Sequence, residues 1–263
     1  MAVKDQRPVI WIHGSSGKMG KEIQGAILEA SSSMRIEGGS SRRFEGELFH
    51  QGQVVTPKLL THSLLRVDLV FDFSAPEANR LLYKAFVPGE LRRKAILIGT
   101  TGLTESDQKS WAAVAKKNQL RLLFAPNTSI GVLALLRSAL TAAGLCGSKN
   151  FDLEIIETHH RAKIDAPSGT AKMLANGLAS AIPGTKVVSK RSGARKPGEI
   201  GVHSVRGGGV FGEHEIRFIS DHEEITLSHR AFSRALFAKG AVHLGHWLLE
   251  QTPGIYTLSD VNA

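Results

Sequence analysis

The sequence predicts an α/β fold in two parts: an N-terminal Rossmann-like domain on a parallel sheet, then an α+β domain on a mixed sheet. Three observations carry this. Short apolar runs alternate with helical patterns over residues 9–127. A glycine-rich turn, Gly14, Gly17 and Gly20, joins the first run to the first helix. Beyond Asn127 the texture changes to a long apolar helix and to strands in which polar and apolar residues roughly alternate.

Val9–Ile12 is a short apolar run, and "KMGKEIQGAILEA" behind it has helical spacing. "MRIEGGSS" is a second strand. "VDLVFDFS" is a third, of apolar and β-favouring residues, followed by the helix "APEANRLLYKAF". "KAILIGTTG" is another buried-type strand, and "ESDQKSWAAVAKKN" a helix with an acidic first turn. "LRLLFAPN" closes the series. Then come the long helix "IGVLALLRSALTAAG", the strand "FDLEIIETHH" and the helix "SGTAKMLANGLASAI". After a loop at 183–199, "IGVHSVRGG", "GEHEIRFIS" and "EEITLSHRA" read as consecutive strands joined by Gly and Asp turns, and "RALFAKGAVHLGHWLLEQ" as a final helix. The expected division is 1–127 for a dinucleotide-binding domain and 128–233 for a substrate-binding and oligomerisation domain, with 234–263 packing back on the first. No repeat of about twenty to fifty residues is evident.

Of 263 residues, 42% are hydrophobic and 22% charged, so disorder is expected at the ends alone. The single cysteine, Cys146, sits in an apolar segment without a disulfide partner, which fits a reducing compartment. No signal-peptide core precedes the first strand, and no window approaches the roughly eighteen apolar residues of a membrane span, so a cytoplasmic protein is expected. The net charge of +9 suits nucleic acid or small anions. Basic residues are scattered apart from 189–198, and no RNA-recognition or zinc-finger signature is present, which favours small anions.

The spacing G-x-x-G-x-x-G, placed between strand and helix, is a variant of the dinucleotide fingerprint. Gly14, Ser15, Ser16, Gly17, Lys18 and Met19 would carry a pyrophosphate on the helix N-terminus. At the end of the second strand, where an acid would hold the ribose of NAD, stand Ser40, Ser41, Arg42 and Arg43. Two hydroxyls and two arginines suit a 2′-phosphate, so NADPH is the expected cofactor and NADH the weaker one; the competing reading makes the arginines ordinary loop charges.

Residues 157–171, "ETHHRAKIDAPSGTA", set two histidines, an arginine and a lysine before a helix start. Ser168, Gly169 and Thr170 can offer N–H and hydroxyl donors to a carboxylate, and His160 and Lys163 can add charge. One of the two histidines suits general acid–base work. A zinc site would need further ligands at suitable spacing; His203, His214, His222 and His229 form no such pattern, so no metal is expected.

The pattern E-x-H-H-x-x-K-x-D-A-P-S-G-T-A, Glu157 to Ala171, resembles the signature of the dihydrodipicolinate reductase family. "GSSGKMG", "DFSAPEA", "IGTTG", "APNTSIGV", "VRGGGVFGEH" and "SHRAFSRALFAKGAV" occur in that family's order, over nearly the whole chain. The resemblance implies NADPH- or NADH-dependent reduction of 4-hydroxy-tetrahydrodipicolinate, with loss of water, in diaminopimelate and lysine biosynthesis. It implies His159 as general acid/base and Lys163 as proton donor. His160, Lys163 and the Ser168-Gly169-Thr170 turn would bind the substrate carboxylates. Gly99, Thr100 and Thr101, with Ala125, Pro126, Asn127 and Thr128, would line the nicotinamide side, and the protein would be a homotetramer with hinge closure. Three positions depart from the family pattern. Ser41 stands where NADH users carry an acid, Ala75 where an arginine often follows D-F-S, and Thr128 where phenylalanine is usual. Efficient NADH use is therefore not expected, Arg42 and Arg43 take more of the phosphate, and a contact near the ring or hinge differs.

Two other readings stay open on the residues alone: a different Rossmann dehydrogenase of a small carboxylic acid, and a non-enzymatic dinucleotide-sensing or nucleic-acid-binding protein. The histidines, lysine and Ser-Gly-Thr turn argue against both.

Overall fold

The computed structural model describes residues 6–29, 34–42, 48–50 and 53–261. Contacts divide the chain into two compact units, Met1–Ser129 with Ala235–Ala263, and Ile130–Arg234. The first unit begins with β1 (Val9–His13), α1 (Lys18–Glu29), β2 (Arg35–Arg42), β3 (Leu48–His50), β4 (Gln53–Val54) and α2 (Pro57–Leu64). It continues through β5 (Leu69–Asp72), α3 (Pro76–Phe86), β6 (Ala95–Ile98), α4 (Glu105–Asn118) and β7 (Arg121–Phe124). The second unit holds α5 (Ile130–Asn150), β8 (Asp152–His159), α6 (Gly169–Ala181), β9 (Lys186–Val188), β10 (Glu199–Arg206), β11 (Glu213–Ile219) and β12 (Glu224–Arg230). The chain then returns to the first unit with α7 (Ala235–Glu250) and β13 (Gly254–Thr257).

The first sheet runs β13-β7-β6-β5-β1-β2-β3-β4, with β13 to β2 parallel and β3 and β4 added antiparallel. Its inner strands "LVFD" and "AILI" are buried at every position, as expected of strands covered on both faces. Trp11, Val70, Ile96 and Leu122 pack in one core with Leu60 and Leu64 of α2, Leu82 and Phe86 of α3, and Trp111 of α4. Helix α7 packs on α1 and against β5, β6 and β7. Helix α2 and strands β3, β4 and β13 were not expected from sequence. Helix α2 is capped by Thr56, whose side chain accepts from the Leu59 N–H, with Pro57 in its first turn. Strand β13, four residues long, pairs parallel with the edge of β7.

The second sheet runs β12-β11-β8-β10-β9 and is mixed: β8 is parallel to β10 and antiparallel to β11. Strands β10 and β11 follow each other in sequence without pairing, because β8 lies between them. Val132, Leu136, Leu174 and Leu178 of α5 and α6 pack in one core with Leu153, Ile155, Val202, Ile216 and Phe218. Loop 183–199 contains β9, and its Arg191 and Arg195 pair with Glu154, Glu199 and Asp152, fastening it to β8 and β10.

The expectation that no window approaches membrane-span composition is corrected by α5. Ile130–Gly147 is long and apolar enough by length and composition, with mean hydropathy 1.7. A Leu- and Ala-rich helix with Arg137 as its one charge there reaches such a value. The helix also buries Val132, Leu133, Leu135, Leu136, Ala139 and Ala143.

Candidate active site

Parallel pairing puts the ends of five strands along one edge of the first sheet. His13 stands beside Ser40 and Asp72, Asp72 beside Ile98, and Ile98 beside Phe124. The loops that follow therefore leave from that one edge, on either side of the point between β1 and β5 where the strand order reverses. Gly14, at φ 93°, turns the chain; its N–H and that of Ser15 donate to the Ser40 carbonyl at 2.8 and 3.0 Å. The Gly17 N–H returns to the Gly14 carbonyl. A Cβ at Gly14 would lie 2.4 Å from the Phe73 carbonyl oxygen, and one at Gly20 only 2.3 Å from that of Gly14.

Among the described residues, the N–H groups of Ser16, Lys18 and Met19 have no protein acceptor. They form the open N-terminus of α1, the donor set a pyrophosphate requires. Beside it lies a cavity of about 380 Å³ bordered by Ser15, Ser16, Lys21, Gln24, Gly38 and Gly39, within the range of small-molecule sites. The residues present fit a dinucleotide. The Arg42 backbone ends β2; its side chain, and all of Arg43, lie outside the described residues.

Gly99 and Thr100 donate their N–H groups to the Asp72 carbonyl at 2.8 and 3.1 Å. The buried Asp72 carboxylate accepts from the hydroxyls of Ser74 at 2.5 Å and Thr100 at 2.9 Å, and from Asn79 Nδ2 at 2.7 Å. Thr101 and Pro126 are exposed, and Ala125 is tied to β6 through its N–H. Asn127 and Thr128 are buried; Asn127 Oδ1 accepts from the Ser129 N–H.

In the second unit, β8 carries Leu153, Ile155, Glu157 and His159 on one buried face. Two apolar residues are thus followed by a carboxylate and an imidazole. His159 Nδ1 lies 2.5 Å from Glu157 Oε2. Arg206, on the adjacent β10, donates to both Glu157 oxygens at 2.9 and 2.7 Å, and the Ser168 N–H donates to Oε1 at 3.1 Å. Ser168 caps α6, its Oγ accepting from the Ala171 N–H, and also lies 3.3 Å from His214 Nε2 of β11. The His214 ring stands edge-on to His159, centroids 5.3 Å apart.

The loop after β8 is held by the 207–210 turn: the His160 and Arg161 N–H groups donate to the Val210 and Gly208 carbonyls. His160 is half-buried, and Lys163 Nζ sits 2.7 Å from Asp165 Oδ1. Gly169 and Thr170 open α6. The fold therefore brings His159 and Ser168 onto one carboxylate, with the His160–Lys163 loop following directly. Glu157, Arg206 and His214 join them without having been assigned from sequence.

Burial alone would raise the Glu157 pKa, but hydrogen bonds from Arg206, Ser204, His159 and Ser168 outweigh it and hold the carboxyl at about 2. Burial lowers the His159 pKa, aided by Lys163 and Arg206 and opposed by Glu157. His214 is pushed down to about 3, by burial first and then by the charge of His159. It is a neutral ring at neutral pH.

An oxidoreductase working with a nicotinamide dinucleotide is the class these two units define. Comparison with known proteins goes further. Residues 9–128 match the family model "Dihydrodipicolinate reductase, N-terminus" and residues 131–261 the model "Dihydrodipicolinate reductase, C-terminus". The chain is 37% identical over 253 residues to the 4-hydroxy-tetrahydrodipicolinate reductase of Methanospirillum hungatei JF-1, covering 95% of this chain and 96% of that one. It is 38% identical over 258 residues to the enzyme of the same name from Akkermansia muciniphila, covering 96% of each. A solved dipicolinate-bound dihydrodipicolinate reductase from Paenisporosarcina sp. TG-14 superposes with a TM-score of 0.73 at 25% identity, covering 97% of this chain and 100% of that chain. The chain belongs to the dihydrodipicolinate reductase family, NAD(P)H-dependent oxidoreductases of diaminopimelate and lysine biosynthesis.

Proposed function

We propose that this enzyme reduces 4-hydroxy-tetrahydrodipicolinate with NADPH in preference to NADH. The meeting of His159 and Ser168 on the buried Glu157 carboxylate carries the reading, because it joins a proton-handling ring to a carboxylate-binding helix start. A substrate with two carboxylates needs a basic, donor-rich cup. With the Ser168 N–H committed to Glu157, Gly169 and Thr170 offer N–H groups, Ser168 and Thr170 offer hydroxyls, and His160 and Lys163 offer charge. The Paenisporosarcina relative is dipicolinate-bound, and a small dicarboxylate is the ligand class carried over to this chain. His159 acts as general acid/base and Lys163 as proton donor.

A bound NADPH supplies the hydride. The 14–19 turn holds its pyrophosphate. Residues 99–101 and 125–128 line its nicotinamide side. Ser41, Arg42 and Arg43, with no acid among them, favour the 2′-phosphate. The same reading has the enzyme cytoplasmic and homotetrameric.

The test measures NADPH and NADH oxidation separately with freshly made substrate, in wild type, His159→Gln and Lys163→Ala. Expected are an NADPH advantage in kcat/KM of at least about tenfold and turnover lost in both variants while folding and cofactor binding persist. Equal use of the two cofactors overturns the preference, and wild-type turnover in either variant overturns that residue's role.

A further inference from the structure

Strand β8 delivers Glu157 to an inward position with no exposed surface. A carboxylate buried there is destabilising unless donors surround it. Donors arrive from three directions: the His159 ring on the same strand, the Arg206 guanidinium on β10, and the Ser168 N–H before α6. We infer that Glu157 is a positioning residue for the reaction. Its Oε2 fixes His159 with the proton on Nδ1, leaving Nε2 to exchange protons with substrate, and its Oε1 sets the N–H that opens the carboxylate-binding turn. This rests on the proton-transfer role proposed for His159.

The tautomer follows from the partners. An ionised carboxylate can only accept, so the nitrogen facing it carries a proton in both states of the ring. The other nitrogen faces Gly212, where a Cβ would lie 3.0 Å from Nε2. The absence of a side chain at 212 leaves that nitrogen its opening.

Arg206 completes the device. The charged groups near the ring are Glu157 on β8, Arg206 from β10 and Lys163 from the following loop, with the titratable His214 facing it from β11. A lone carboxylate would orient the ring and also hold it as imidazolium. With both oxygens bound by Arg206, the pair carries no net charge, so Glu157 keeps its acceptor geometry while Arg206 offsets part of its pull on the second proton. Positioning and proton release are thereby separated.

The test reads the ring directly. A long-range ¹⁵N–¹H imidazole spectrum of the full chain, with His159 assigned by its loss in His159→Gln, should show neutral His159 as the Nδ1–H tautomer. Titrated in the same way, Glu157→Gln should move the His159 pKa down and Arg206→Gln should move it up, each by about one unit. The opposite signs distinguish charge balance from general damage to the fold. In Glu157→Gln, kcat should fall by at least about 100-fold. An Nε2–H tautomer in the wild-type protein, two shifts of the same sign, or undiminished kcat in Glu157→Gln overturns the inference. Should Glu157→Gln fail to fold, the wild-type tautomer and Arg206→Gln still decide. A wild-type protein inactive on this substrate would sink the proposed function alone, since the tautomer is read without turnover.

Discussion

The hydroxyl of Thr128 donates to the carbonyl oxygen of Phe237 at 2.6 Å, with Thr128 buried. This bond ties the loop after β7 to the first turn of α7, within the first unit. Thr128→Val keeps the shape and removes the donor. A loss of about 1 kcal/mol is expected, lowering Tm by about 2–4 °C. The KM for NADPH should rise, because the loop it anchors is the one proposed to line the cofactor. Thermal melts and initial rates read the two effects.

Gly20→Ala places a methyl against backbone. Its Cβ would meet the Gly14 carbonyl oxygen at 2.3 Å and Ser15 Cα at 2.7 Å, so the turn must shift. The Ser16, Lys18 and Met19 N–H groups would then lose their common aim. Cofactor affinity should fall at least about tenfold, a loss of 1.4 kcal/mol, while circular dichroism still reports a folded chain. Cofactor fluorescence titration measures it, and unchanged affinity would separate this turn from the pyrophosphate.

At Asp72, two substitutions should part company. Asp72→Asn can keep an oxygen toward Asn79 and Thr100 and turn its amide toward Ser74, whose hydroxyl can reverse and accept. The expected cost is about 1 kcal/mol. Asp72→Leu strands the Asn79 and Thr100 donors in the core and should cost about 3 kcal/mol. Urea midpoints of the two variants test the difference.

Acid should weaken the second unit in two stages. His214, held down to about 3, lies below the ordinary histidine value of 6.5, and Glu157, held at about 2, lies below its ordinary 4.5. Both groups bind more protons when unfolded, so their stabilisation is present above the unfolded values and is lost as pH falls. The decline begins below pH 6.5 through His214 and steepens below 4.5 through Glu157. His214→Asn should shrink the upper stage, to which the lowered His159 and His229 also contribute, and leave the lower one, read from urea midpoints across pH 7 to 3.

The α/β alternation was legible because strands such as Leu69–Asp72 and Ala95–Ile98 are covered on both faces and so read as continuous apolar runs. Helix α2 escaped notice, although Thr56 and Pro57 form a cap and first-turn pair. Its buried Leu60 and Leu64 are diluted by Lys58, His62 and Ser63 within eight residues. Strands β9 and β13 are three and four residues long, too short to show a period, and depend on partners distant in sequence. Of the second-unit site, His159 and Ser168 stand in a recognisable motif. Glu157 could have been found by parity, since it shares a face with Leu153 and Ile155 and a charge there demands partners. Arg206 and His214 stand within the "VRGGGVFGEH" motif, but nothing local says that β8 separates β10 from β11 and so sets both beside Glu157.

Strand β13 pairs with β7 across about 130 residues of intervening chain, which sets an order of assembly on the ribosome. At about 5–20 residues per second, the edge of β7 waits roughly 7 to 25 seconds for its neighbour to be synthesised. The second unit, contiguous in sequence, emerges whole during that interval. The part of the chain made first is thus completed last, and the β7 edge stays unpaired in the nascent chain throughout that interval.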